Sequence, residues 1–149
     1  MTVDVLAVVL ASASPISELR GGIPLGIALG LPPAEVFILS VGTNILVFFP
    51  ARAVLVLFYR SILRRLPLFE RYLQRVRQRG SPKVEKYGLL GLALFVGIPL
   101  PFTGAYTGTV LSWLLAMDVK RSFAGVVTGV MFAGAVVMVL TLGVASGAG

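Results

Sequence analysis

The sequence predicts an all-α integral membrane protein of two inverted-topology repeats, each a re-entrant helical hairpin followed by one full transmembrane helix. Three observations predict it. The first is composition: of 149 residues 57% are hydrophobic and only 13% charged, with mean hydropathy +0.96, where an ordinary soluble domain carries about 25% charged residues. The second is a pair of long apolar stretches, from Val36 to Phe58 and from Phe123 to Ala145, each about 23 residues and long enough to cross a ~30 Å hydrocarbon core. The third is a pair of apolar regions broken by proline near their middles.

Those broken regions run from Val3 to Leu31 and from Gly88 to Met117. Pro15 interrupts the first, and Pro99 and Pro101 the second. The arm before each break has about 11 residues, or ~16 Å of helix, which reaches half of a bilayer. A helix-start signal follows each break, with Ser17 and Thr103 as the capping residues. A hairpin that enters and leaves by one face fits these lengths; the alternative is a single Pro-kinked crossing. Charge favours the hairpins, because they leave Asp118, Lys120 and Arg121 on the same side as the basic stretch described next.

Net charge is +7, and the whole excess lies between Arg60 and Lys86, where nine cations face only Glu70 and Glu85. Between two apolar regions such a block reads as a cytoplasmic loop under the positive-inside rule rather than as a nucleic-acid site. Phe69, Tyr72, Leu73 and Val76 recur at helical spacing, the stripe of an amphipathic helix lying on the membrane surface, with Arg71, Arg75 and Arg79 along another side. Gly80, Ser81 and Pro82 are expected to end that helix. The chain then divides into a first repeat (1–60), a basic connector (61–86) and a second repeat (87–149), with both termini outside. The start has the outline of a signal peptide, but Asp4 and the lack of a basic residue before the apolar run argue against cleavage.

A shift of 86 positions aligns Pro15 with Pro101, Ser17 with Thr103 and Gly22 with Gly108, and each hairpin precedes one full crossing. One crossing separates the hairpins, so they enter from opposite faces, an arrangement that secondary transporters use around a midplane site. Glycines at every fourth position, Gly22, Gly26 and Gly30, Gly104 and Gly108, Gly125 and Gly129, read as close-packing faces. With 149 residues supplying few walls, a homo-oligomer is expected.

The segment Ser14-Pro15-Ile16-Ser17-Glu18-Leu19-Arg20-Gly21-Gly22-Ile23-Pro24-Leu25-Gly26, together with Ile98-Pro99-Leu100-Pro101-Phe102-Thr103-Gly104-Ala105-Tyr106-Thr107-Gly108, resembles the small multidrug export protein family over nearly the whole chain. Family members often carry Trp where this chain has Tyr106 and Gly where it has Phe102. That family looks like a distant branch of the DedA superfamily, and the resemblance implies two re-entrant hairpins in the inner membrane of a prokaryotic cell and transport or scrambling of lipids such as undecaprenyl phosphate. The family name implies another cargo, small lipophilic drugs or cations, and a non-transporting assembly factor is a third reading.

The candidate site gathers at the breaks. Glu18 follows the first, where an intramembrane carboxyl is costly and usually functional; burial disfavours its charged form, which makes it the candidate for proton coupling. Arg20 is free to grip an anionic group, since residues two apart on a helix do not face one another. Arg52 either pairs inward with Glu18 or snorkels to the headgroups. If these ions only lock the structure, the expected contacts are Glu18 with Arg52 or Arg20 with backbone carbonyls. Pro15, Ser17, Pro99, Pro101, Thr103 and Gly104 form the hairpin tips, and the amides after Pro101 make a helix start suited to an anion. Asn44, Tyr106 and Thr107 are candidates to line a cavity. An enzyme is not expected: there is no His or Cys, no Gly-x-Ser-x-Gly elbow and no Walker loop. Neither a metal nor another cofactor is called for, and the expected partners are membrane lipids and an amphiphilic substrate.

Overall fold

The computed structural model describes residues 2–59, 65–100 and 103–147; Arg60 and Arg64 of the basic stretch and Pro101 and Phe102 of the second break lie outside them. The described residues form helices and connecting turns, with no strand. In chain order the helices are α1 (Thr2–Ala13), α2 (Glu18–Ala28), α3 (Pro33–Phe58), α4 (Pro67–Tyr87), α5 (Leu89–Gly97), α6 (Ala105–Leu114) and α7 (Val119–Gly147).

Among the described residues only α3 and α7 are both long and apolar enough to cross a membrane. At 26 and 29 residues they reach about 39 and 43 Å. A core helix of a soluble protein would bury most of such a surface, whereas α3 leaves Ile38, Leu46, Val56 and Leu57 exposed and α7 leaves Val139 and Val144 exposed. Apolar exposure on this scale belongs against lipid.

The broken regions fold at their prolines. Gly26 of α2 lies against Val8 of α1, and Gly22 against Ser12, so α2 runs back along α1. Small residues make that approach possible: a Cβ on Gly22 would collide with the Ser12 hydroxyl, and one on Gly26 with Val36 of α3. In the second half Gly108 of α6 faces Val96 of α5, while Gly125 and Gly129 of α7 seat Leu92 and Val96. Gly30 does not share this role. It takes φ +77° with nothing within 4 Å, the left-handed turn after a helix end.

Three expectations are corrected. Ser17 and Thr103 do not cap: neither α2 nor α6 has a side-chain cap bond, and Gly104 is the residue preceding α6. The Ser17 hydroxyl instead donates back to the Ala11 carbonyl at 2.6 Å, and Thr103 is engaged at the site described below. Gly80, Ser81 and Pro82 do not end a helix, because α4 continues to Tyr87. Gly80 is small for another reason: it lies flat on Leu111 of α6, and a Cβ there would strike that side chain. Nor does the stripe of α4 lie on a membrane surface. Leu73, Val76 and Val84 are buried in the common core, with Phe69 and Tyr72 packed against it, so tertiary burial uses the apolar face that lipid was expected to cover.

Two glycines of α7 should respond oppositely to alanine. A Cβ at Gly129 would sit 2.7 Å from the Ala93 carbonyl oxygen and 2.6 Å from Val96 Cβ, neither of which can swing away, and overpacking of this kind costs about 1–3 kcal/mol. At Gly143 nothing lies within 4 Å, so alanine gains helix propensity, about 0.5–1 kcal/mol. Thermal melting of the two variants in detergent is expected to show Gly129→Ala well below the parent and Gly143→Ala at or above it; equal shifts would contradict the α5–α7 contact.

Candidate functional site

The two breaks meet one another. Arg20, on the first turn of α2, extends its guanidinium across to the second break, where Nη2 donates to the Thr103 carbonyl at 2.7 Å and approaches Thr103 Oγ1 at 3.1 Å, while Nη1 donates to the Leu100 carbonyl. A planar fork can span two carbonyls where an ammonium cannot. Thr103 Oγ1 lies 2.6 Å from the Ile98 carbonyl and 2.7 Å from that of Leu100, and accepts the Leu100 N–H at 3.2 Å. This one hydroxyl thus closes the irregular backbone after α5 that proline leaves without helical partners.

Glu18 crosses in the same direction. Its Oε1 accepts the backbone N–H of Tyr106 at 3.3 Å, in the first turn of α6, where the helix dipole and unpaired amides favour negative charge. The anion site expected after the second break is therefore occupied by the chain's own carboxylate. Gly104 is what admits it, because a Cβ at that position would overlap the carboxyl group. Glu18 itself holds φ +50°, a left-handed backbone uncommon for a residue with a side chain. Strain of this kind persists where the surroundings enforce it, and it marks functional positions. A third strut completes the junction: the Tyr106 hydroxyl donates to the Ala13 carbonyl at 2.6 Å, at the end of α1.

Beside this junction opens a cavity of about 620 Å³, within the range of small-molecule sites. Glu18, Arg20, Tyr106 and Thr107 stand on its polar side, and Val54, Leu55, Phe69 and Val110 on its apolar side, with Pro15, Ser17 and Thr103 at the rim of the junction. Tyr72 closes the wall from α4, its hydroxyl 3.1 Å from Thr107 Oγ1. Glu18 is 6% exposed, enough for contact with the cavity. The chemistry on offer is an apolar container with one acid and one guanidinium at its inner end.

The remaining expected residues sit elsewhere. Arg52 does not pair with Glu18. Its Nη2 donates to the Met117 carbonyl at 3.1 Å, and Nη1 lies 3.4 Å from Ser112 Oγ, at the far end of α6, because α3 carries it well past the breaks. Asn44 does not line the large cavity; its amide donates to the Ser12 and Ser40 carbonyls at 2.8 and 3.3 Å and fastens α1 to α3. It borders only a crevice behind Glu18, shared with Val130 and Ala133 of α7 and too narrow for water. The Arg20-to-carbonyl contacts foreseen as a purely locking arrangement are present, and they coexist with the cavity. Tyr72 and Phe69 are site residues that the sequence reading assigned to a surface stripe; the hydroxyl at Tyr72, which is superfluous on a buried face, is the signal that distinguishes it.

Compared with known proteins, the chain matches the model of a family described as "Putative small multi-drug export protein" over residues 18–136, a segment that begins at Glu18 and includes Arg20, the second break and the cavity wall. No curated protein and no solved structure matches it.

Proposed function

From the premise that the chain belongs to the small multi-drug export family, whose name gives it a transporter role, we propose a proton-linked secondary transporter or scrambler, not an enzyme, for amphiphiles with an anionic head such as a lipid phosphate. The observation that carries this reading is the Glu18 carboxylate seated on the α6 amide at the inner end of an apolar cavity. Ionised Glu18 holds the Tyr106 amide itself. Protonated, it is a weaker acceptor and yields that amide, so an anionic headgroup can take the helix start with Arg20 as a bidentate neighbour. Proton and anion then enter together, and the apolar wall receives the lipid chain.

In the membrane, α1–α2 and α5–α6 act as re-entrant hairpins of two inverted repeats, entering from opposite faces of a prokaryotic inner membrane and meeting at their tips. The charged α4 lies in the cytoplasm with Asp118, Lys120 and Arg121, and the termini lie outside. Exchange of exposure at the tips moves the substrate, and a second copy supplies further walls. Reading the small multi-drug export family, which both break motifs resemble, as a distant branch of the DedA superfamily points to a lipid cargo.

Phe69, Tyr72 and Tyr106 around a carboxylate favour a second reading, export of lipophilic cations, since aromatic faces attract cations. The two readings differ in sign. If the anionic head replaces ionised Glu18, binding tightens as pH falls; if a cation pairs with ionised Glu18, binding weakens as pH falls. Thermal shift of the purified protein with a polyprenyl phosphate and with tetraphenylphosphonium, at pH 6 and pH 8, separates them; a ligand at 100 times its Kd adds about 2.7 kcal/mol. Phosphate binding that is stronger at pH 6 in the parent, with that enhancement absent in Glu18→Gln, is the expected result. Cation binding abolished by Glu18→Gln would replace it with the drug-export reading, and stabilisation by neither ligand would remove the transport site altogether.

A further inference from the structure

We propose that Ser12 and Ser40 are a second seat for the Glu18 carboxyl group, reached when α2 slides one helical turn along α1 and α3. Two buried hydroxyls carry this inference. Ser12 and Ser40 are 0% exposed, and neither hydroxyl oxygen has a hydrogen-bond partner. A helical hydroxyl can turn back to the carbonyl four residues earlier, as Thr109, Thr128 and Thr141 do at 2.7–2.8 Å. Ser12 and Ser40 do not. Both lie instead at the place a side chain on Gly22 would fill: a Cβ there would collide with Ser12 Oγ and stand 3.0 Å from Ser40 Oγ. Buried donors left unpaired are unfavourable, so the pair suits an acceptor that α2 presents in another position.

The face of α2 toward them carries Glu18, Gly22 and Gly26, one per turn. Of these only Glu18 has an acceptor side chain. The same spacing runs along the opposing helices: Gly22 meets Ser12 and Ser40, and Gly26 meets Val8 and Val36. Moving α2 one turn, about 5.4 Å, toward its C-terminal end sets Gly22 on the valines and Glu18 on the serines, and the two glycines leave no side chain to obstruct it. One-turn ratchets of this kind switch packed helices between discrete arrangements. Asn44 keeps α1 and α3 in step, since its amide donates to the Ser12 and Ser40 carbonyls at 2.8 and 3.3 Å. A crevice already links Glu18 to Asn44, one turn from Ser40, and the left-handed backbone at Glu18 is strain that the slide can release. The inference rests on the reading of Glu18 as the group that substrate displaces, and it supplies the destination: the slide withdraws the carboxyl from the Tyr106 amide and leaves the start of α6 to the anionic head.

The full-length protein has no native cysteine, so spin labels on Leu25→Cys and Val56→Cys, both exposed positions, report the place of α2 along α3 by double electron-electron resonance, in detergent and without substrate. Because α2 and α3 run antiparallel, the slide lengthens this distance by about 5 Å. The parent is expected to show the shorter distance. Gly104→Ala, which drives the carboxylate from the Tyr106 amide, and Glu18→Gln, which weakens that bond without overpacking, should each add the longer one. Combining either with Ser12→Ala and Ser40→Ala should remove it. In the otherwise unaltered protein the paired alanines should melt at or above the parent temperature, because they delete unpaired hydroxyls, yet slow polyprenyl phosphate transport in proteoliposomes at least about tenfold. A longer distance that appears in neither Gly104→Ala nor Glu18→Gln, or that survives loss of both hydroxyls, would overturn the second seat. So would a marked drop in melting temperature from the paired alanines, since the hydroxyls would then already be engaged, or transport that those alanines leave unchanged. A second distance that depends on the serines while polyprenyl phosphate neither binds nor moves would uphold the seat and overturn the transport reading instead.

Discussion

Arg20→Ala is expected to separate the two breaks and to be the most destabilising single removal of a polar group in this protein. Three contacts leave with the guanidinium, to the Leu100 carbonyl and to both oxygens of Thr103. The carbonyls they satisfied belong to a backbone stretch without helical partners. Hydrogen bonds from charged donors contribute about 1.5–3 kcal/mol each; Arg20 is only part-buried and the three act together, so about 2–4 kcal/mol is the expected loss. Arg20→Lys should recover little of it, because an ammonium on a flexible stem reaches one carbonyl and not two. The chain is equipped to report this. Trp113 is its single tryptophan, stacked edge-on against Tyr59 with ring centroids 4.7 Å apart, so its fluorescence follows the α3–α6 contact during melting. Since there is no native cysteine, a lone Leu100→Cys should label faster in the Arg20→Ala background. If melting and labelling are both unchanged, Arg20 does not fasten the breaks.

What was legible in the sequence divides along the range of the interactions concerned. Residues Val36–Phe58 and Phe123–Ala145 announce their helices because a predominantly apolar stretch of that length has few other uses, and α3 and α7 extend those stretches only by a few terminal residues. Pro15 and Pro99 announce breaks because a missing N–H acts locally. The offset of 86 placed Pro15 and Ser17 in register with Pro101 and Thr103, yet nothing in it put Arg20 on Thr103 or Glu18 on Tyr106, contacts that span 83 and 88 positions. Local signals also misled where a tertiary contact claimed the same residue. Gly80 reads as a helix stop beside Ser81 and Pro82, but its missing side chain makes room for Leu111, and the burial of Val84 carries the helix past Pro82. Ser17 and Thr103 stand where caps stand, and both spend their hydroxyls on carbonyls of the preceding segment. Gly104 reads with Gly108 as a packing pair, whereas the structure uses one for the Glu18 carboxylate and the other for Val96.

That last distinction leads to the second large effect, Gly104→Ala. Gly104 has φ −114° and ψ −162°, an extended backbone open to any residue, so conformational freedom does not explain the glycine; space does. A methyl group there overlaps the Glu18 carboxylate and drives it off the Tyr106 amide. The displaced group is 6% exposed, and disturbing a buried charge-assisted hydrogen bond costs about 2–4 kcal/mol once overpacking is included. Transport in proteoliposomes should fall at least about tenfold, as a loss of 1.4 kcal/mol or more at the site requires. The assignment is tested by pairing the substitution with Glu18→Ala. Removing the carboxyl empties the volume that the new methyl needs, so Gly104→Ala in the Glu18→Ala background should cost under about 1 kcal/mol, giving a coupling within the range of residues in direct contact. The left-handed backbone at residue 18 is common to both Glu18→Ala proteins and cancels from the cycle. Strict additivity of the two substitutions in melting free energy would mean that the carboxylate does not lie on Gly104, and the proton-linked exchange built on that contact would have no structural basis.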